Sequence, residues 1–104
     1  MASALSEMPL NESYTAIVQL HEALEAAGIR HSFERMYDGY QIFCAIRGSK
    51  SRLSIVQHHI SYGASYNLLE TARVSNCDHV YDVHGYLEKD EVLRQITSSQ
   101  KGEA

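Results

Sequence analysis

The chain has 104 residues, 44% of them hydrophobic, with 9 basic against 13 acidic side chains and six histidines. That length fits one compact domain able to bury a core without metals or disulfides. The net charge of −4 argues against a dedicated nucleic-acid binder, which carries a basic excess or stripe. The two cysteines, Cys44 and Cys77, are widely spaced and read as reduced thiols of a cytoplasmic protein rather than a secreted disulfide framework. No apolar run approaches the roughly 20 residues that span a bilayer. The start, MASALSEMPLNES, lacks the basic and apolar blocks of a secretory signal. Residues 1–11 read as a flexible lead and 98–104 as a flexible tail.

Residues 13–27 give the clearest element. Tyr14, Ile17, Val18, His21 and Leu24 recur at spacings of three and four, which is one face of a helix. Asn11 or Ser13 can cap its start, and Gly28 can end it. The period then changes to two: Ile29, His31, Phe33, Arg35 and Tyr37 alternate with Ser32, Glu34 and Met36, as on a strand. Asp38-Gly39 is a hairpin signal, and Tyr40 to Ile46 continue as a second strand. After the polar turn RGSKS, residues 52–60 read as a third. His58 and His59, neighbours on that strand, should send their rings to opposite faces. Residues 61–65 form an exit loop, 66–74 (YNLLETARV) a second helix, 79–83 a short fourth strand and 88–97 a terminal helix, with Gly85 turning the chain between the last two. The fold class predicted is α+β with two layers. Its order is α-β-β-β-α-(β)-α, a three- to four-stranded antiparallel sheet covered by helices on one face.

Several chemistries can be weighed on these positions. Asp78, Asp82 and His84 share one strand face if extended, and His58 or His59 beside them would complete a nitrogen–oxygen site for zinc or a similar ion. There is no HExxH, CxxC or EF-hand spacing to support it. Cys44 or Cys77 with a histidine and an aspartate would make a cysteine nucleophile. However, Cys44 lies mid-strand between Ile42 and Ile46, where a small hydrophobe belongs. The carboxylates and lysine of a magnesium-dependent nuclease are not grouped. The helix–sheet–helix order is that of double-stranded RNA-binding domains, but SYNLLE has no lysine where those modules reach phosphate. A small-nucleotide pocket lined by tyrosines, His58 or His59, Gln57 and Arg35 lacks a glycine-rich phosphate loop.

The tyrosines stand out. There are seven, against two phenylalanines and no tryptophan, and most fall at turns and element ends. A tyrosine joins a large apolar ring to a polar tip and is enriched where partners meet. Tyr37, Tyr40, His59, Tyr62 and Tyr66 are therefore the candidate partner-binding residues. No catalytic residue, metal ligand or cofactor is assigned. A meander edge strand could also support a homodimer.

The series LHEALEAAGIRHSFERMYDGYQI, SIVQHHISYG, YNLLE and GYLEKDEVLRQI, over about residues 17–96, resembles a group of small proteins encoded by bacteriophages and prophages. The resemblance implies mobile-element origin. Some small phage proteins of that kind inhibit bacterial defences, CRISPR effectors among them. The expectation is a non-enzymatic, anti-CRISPR-like inhibitor in the bacterial cytoplasm. It would contact a host defence protein directly, with no nucleic-acid or membrane binding of its own, and its mild acidity would help it approach a basic effector. The alternatives are a small metal-dependent enzyme using His58 or His59 with Asp82 and His84, or a small-nucleotide-binding module.

Overall fold

The computed structural model describes residues 8–100. The remainder of the expected lead and tail, residues 1–7 and 101–104, lies outside the described residues. The order is α1 (Thr15–Ala26), β1 (Ser32–Met36), β2 (Gly39–Ala45), β3 (Arg52–Gln57), a 3-10 turn (Ala64–Tyr66), β4 (Leu69–Val74), β5 (Val80–Leu87) and α2 (Lys89–Gln100). All five strands form one antiparallel meander in the order β1-β2-β3-β4-β5. Both helices pack on one face. Ile17, Leu20 and Leu24 of α1 and Val92 and Ile96 of α2 meet Ile42, Cys44, Leu53, Ile55 and Leu69 of the sheet in one buried cluster. The α+β class is as the sequence predicts, with more strands. No helix among the described residues is long and apolar enough to cross a membrane.

Three expectations are corrected. Residues 66–74 do not form a helix: after the 3-10 turn they enter β4, paired on both sides. Leu, Glu, Ala and Arg favour helix locally. The alternation of Leu69 and Thr71, both buried against the helices, is what the sheet uses. Gly85 does not turn the chain. It sits inside β5, where a Cβ would meet the Tyr62 Cβ at 2.4 Å. The hairpin is displaced by one residue. Met36 pairs with Gly39, so Tyr37 and Asp38 are the turn, and Tyr37 takes φ 53°. Gly39 is held in β2 by a close approach: its Cβ would lie 1.7 Å from the Gln57 carbonyl oxygen.

The start of α1 is capped from a distance. A helix leaves its first N–H groups without intrahelical partners. Here Tyr14 N–H donates to Asn11 O (3.1 Å) and Thr15 N–H to Ser13 O (3.0 Å). Ala16 N–H donates to Asn67 Oδ1 and Ile17 N–H to the fully buried Gln57 Oε1, both at 3.0 Å. Gln57 Nε2 in turn donates to Asn67 Oδ1 (2.8 Å), and Asn67 Nδ2 to Thr15 Oγ1 (2.8 Å). Asn11 and Ser13 bond each other instead of capping by side chain. At the other end Gly28, φ 70°, lets Ile29 N–H reach Leu24 O and Gly28 N–H reach Glu25 O, a Schellman closure. α2 continues to Gln100, where Gln100 Nε2 donates to Ala45 O (2.7 Å).

Candidate functional site

One end of the sheet gathers the β1–β2 turn, the exit of β3, the 3-10 turn and the close of β5. Asp38, nearly buried, ties two of these together. Its Oδ1 accepts the His59 N–H at 2.8 Å and lies 3.2 Å from His59 Nδ1. The Tyr37 ring meets both imidazoles edge-on, at centroid distances of 5.1 Å to His58 and 5.4 Å to His59. β3 ends at Gln57, so His58 and His59 lie in a loop rather than on a regular strand, and their ring centroids are 6.4 Å apart. They do not splay to opposite faces as expected.

His58 is buried and His59 exposed. His58 Nδ1 accepts the Ile60 N–H at 3.3 Å, and Ser61 Oγ both accepts from His58 N–H (3.0 Å) and donates to His58 O (2.9 Å). Burial holds the His58 imidazole below its ordinary pKa. Glu70 and Asp38 oppose that shift, and the neighbouring His59 adds to it.

Beyond this loop the surface is aromatic. Tyr62, Tyr66 and Tyr86 are 61%, 73% and 58% exposed, and Ile60 is 61% exposed. The Tyr66 and Tyr86 rings lie 6.2 Å apart. The Tyr86 N–H donates to Tyr62 O at 3.2 Å, and the Tyr62 N–H to Glu70 Oε1 at 3.0 Å. Two of the rings at this end, Tyr37 and Tyr86, hang on left-handed backbone (φ 53° and 57°), a conformation uncommon for bulky residues and concentrated at functional sites.

Of the five residues singled out from sequence, Tyr37, His59, Tyr62 and Tyr66 fall at this end. Tyr40 belongs to the helix side, stacked on Phe33 (centroids 4.3 Å, planes 17° apart) and packed against the core. Sequence reasoning did not select Tyr86 or Ile60. Tyr86 was visible as an element-end tyrosine, but its partnership with Tyr66 depends on β5 returning beside β4.

The metal grouping weighed from sequence, His58 or His59 with Asp78, Asp82 and His84, is not assembled. Asp78 pairs with Arg52 (3.2 Å). Asp82 pairs with Arg73 (3.3 Å) and with His84 Nε2 (2.8 Å). The hydrogen bond from His84 holds the Asp82 carboxyl below the usual carboxylate range; desolvation opposes it, and the His84 charge and Arg73 add to it. Cys44 is buried, and burial pushes its thiol up to about 11, which keeps it inert. Cys77 is exposed, its thiol 3.6 Å from Asn76 Oδ1. No family profile, curated protein or solved structure matches this chain significantly.

Proposed function

We propose that the protein works by binding another protein through this aromatic end. The observation that carries the reading is the clustering of four large, more than half-exposed side chains, Ile60, Tyr62, Tyr66 and Tyr86, on backbone tied down by Asp38, Glu70 and the Tyr62–Tyr86 hydrogen bond. Exposed apolar patches rimmed by polar groups mark interaction sites, and rigidly mounted tyrosines bind with little loss of conformational freedom. Taken with the resemblance to small phage and prophage proteins, the partner proposed is a bacterial defence protein met in the host cytoplasm, its inhibition resulting from direct contact.

The sheet has two edge strands, β1, the meander edge at which a second copy could pair, and β5. The two register shifts and the left-handed Asp82 of β5 work against straightforward strand addition there, so the loop surface is favoured over the β5 edge.

The test is phage challenge of bacteria carrying individual defence systems, CRISPR effectors included, with the protein supplied in trans. Restored plaquing against one system is expected, together with a complex of that system's protein and this chain on size exclusion. The variant Tyr62→Ala/Tyr66→Ala should lose both effects while melting within a few degrees of the parent. Retained inhibition by that variant, or a collapse of its stability, would remove the aromatic end as the binding surface. Failure against every system would remove the defence-protein partner.

A further inference from the structure

Away from the aromatic end, three ligand-bearing side chains meet where α1 hands over to β1. His21 and Glu25 stand one helical turn apart on α1, and His31 lies immediately before β1. His21 Nδ1 is 2.8 Å from His31 Nε2. Glu25 Oε1 lies 4.0 Å from His21 Nε2 and 3.9 Å from His31 Nε2. Among the described residues, these are the three His, Cys, Asp or Glu side chains whose donor atoms come close enough to share one ion.

Both rings are fixed in advance. His31 Nδ1 is 2.8 Å from the Ile29 carbonyl oxygen. A carbonyl only accepts, so Nδ1 holds a proton, and in the neutral ring the Nε2 lone pair points at His21. Orientation by a backbone carbonyl on the far nitrogen is the usual support of a metal-bound imidazole. The His31 side chain is only 3% exposed. His21 is clamped flat on Phe33, with centroids 3.9 Å and planes 4° apart. The stack runs on from Phe33 to Tyr40. The exposed Glu25 carboxylate closes the third side and leaves the solvent side open.

We infer that His21, Glu25 and His31 bind one divalent transition-metal ion, with zinc the best match to two imidazole nitrogens and one carboxylate oxygen, and a fourth position open to water. A tetrahedral ion about 2.0–2.1 Å from each nitrogen holds them ~3.4 Å apart. The rings must therefore separate slightly from their present hydrogen bond, and the carboxylate must draw in by a comparable amount. His21 offers Nδ1 by moving its proton to Nε2, so no net proton is lost from the pair. The ion bridges the end of α1 and the entry to β1 across the Gly28 turn. This site is separate from the aromatic end and does not depend on its role.

The protein, stripped with a chelator and dialysed against zinc, is expected to retain one zinc per chain and to melt at a higher temperature with it. Cobalt in zinc's place should give the visible absorption of a low-coordinate nitrogen–oxygen site. Glu25→Gln, an exposed change, should weaken zinc by at least about tenfold, and His31→Gln should abolish binding. His59→Gln and His84→Gln should leave it unaltered. If His31→Gln does not fold, imidazole nitrogen resonances of the unmodified protein decide: zinc should move those of His21 and His31. Absence of stoichiometric zinc overturns the site. So does zinc undiminished by Glu25→Gln, or a titration that moves His59, His79 or His84 instead.

Discussion

Replacing Gln57 by methionine tests the distant cap of α1. Methionine keeps the length and approximate volume of the side chain and removes only its polar end. Ile17 N–H then loses its acceptor at a position with no exposed surface, and Asn67 Oδ1 loses one of its two donors. An orphaned buried N–H costs about 1–3 kcal/mol, and loss of a helix N-cap costs ~1 kcal/mol by itself. The two figures describe largely the same lost bond, so the expected net destabilisation is about 2 kcal/mol. For a domain of this size that lowers the melting temperature by roughly 8–16 °C. Urea unfolding followed by circular dichroism should show a lower midpoint at an unchanged slope. The paired change Asn67→Ala should be non-additive with it, because the two amides share one network. A Gln57→Met protein within about 0.5 kcal/mol of the parent, below the usual range for a lost cap, would show that the helix start does not depend on Gln57.

Thiol alkylation of the native protein should modify Cys77 and spare Cys44 until the chain is unfolded; peptide mass mapping reads this directly, and rapid Cys44 labelling would contradict its burial. For pH, His58 is held neutral in the folded state while the unfolded chain takes up its proton near pH 6.5. Its contribution to stability is therefore complete above that pH and is lost as pH falls from 6.5 toward the lower folded value. Protonation at Nδ1 would also displace the Ile60 N–H. The midpoint of denaturant unfolding should drop over that interval, and His58→Gln should flatten the drop. An identical profile in the variant would assign the effect to other histidines. Gly39→Ala should unfold the chain, since its Cβ falls 1.7 Å from the Gln57 carbonyl oxygen. Gly28→Ala, in open space but at φ 70°, should cost only about 1 kcal/mol. Similar melting of these two variants would place the β2–β3 approach wrongly.

Local rules carried α1, its Gly28 closure and the β1–β3 meander, because each depends on a periodicity or turn within a few residues. They failed where partners at long range decide. Leu68 to Arg73 is rich in helix formers, and only pairing with β3 and β5 makes it a strand. Asp38-Gly39 signals a turn by local rules, but the nearby Gln57 carbonyl and the pairing with Met36 place Gly39 inside β2. Four of the candidate tyrosine and histidine positions could be named from sequence because element ends converge at one end of a meander. Tyr40 differs because the pleat points it toward the helices. The His21–His31 contact crosses a helix end and a turn, and its only local trace is the pairing of His21 with Glu25 one helical turn later.

The sheet is assembled from chain neighbours alone, yet its apolar face is closed by the two helices at opposite ends of the described chain, α1 at 15–26 and α2 at 89–100. During synthesis the strands can pair in turn as they leave the ribosome, while Ile17, Leu20 and Leu24 wait for Val92 and Ile96. A nascent chain halted before residue 89 would lack Val92 and Ile96 and leave the apolar surface they cover open to water, where chaperones and proteases engage it.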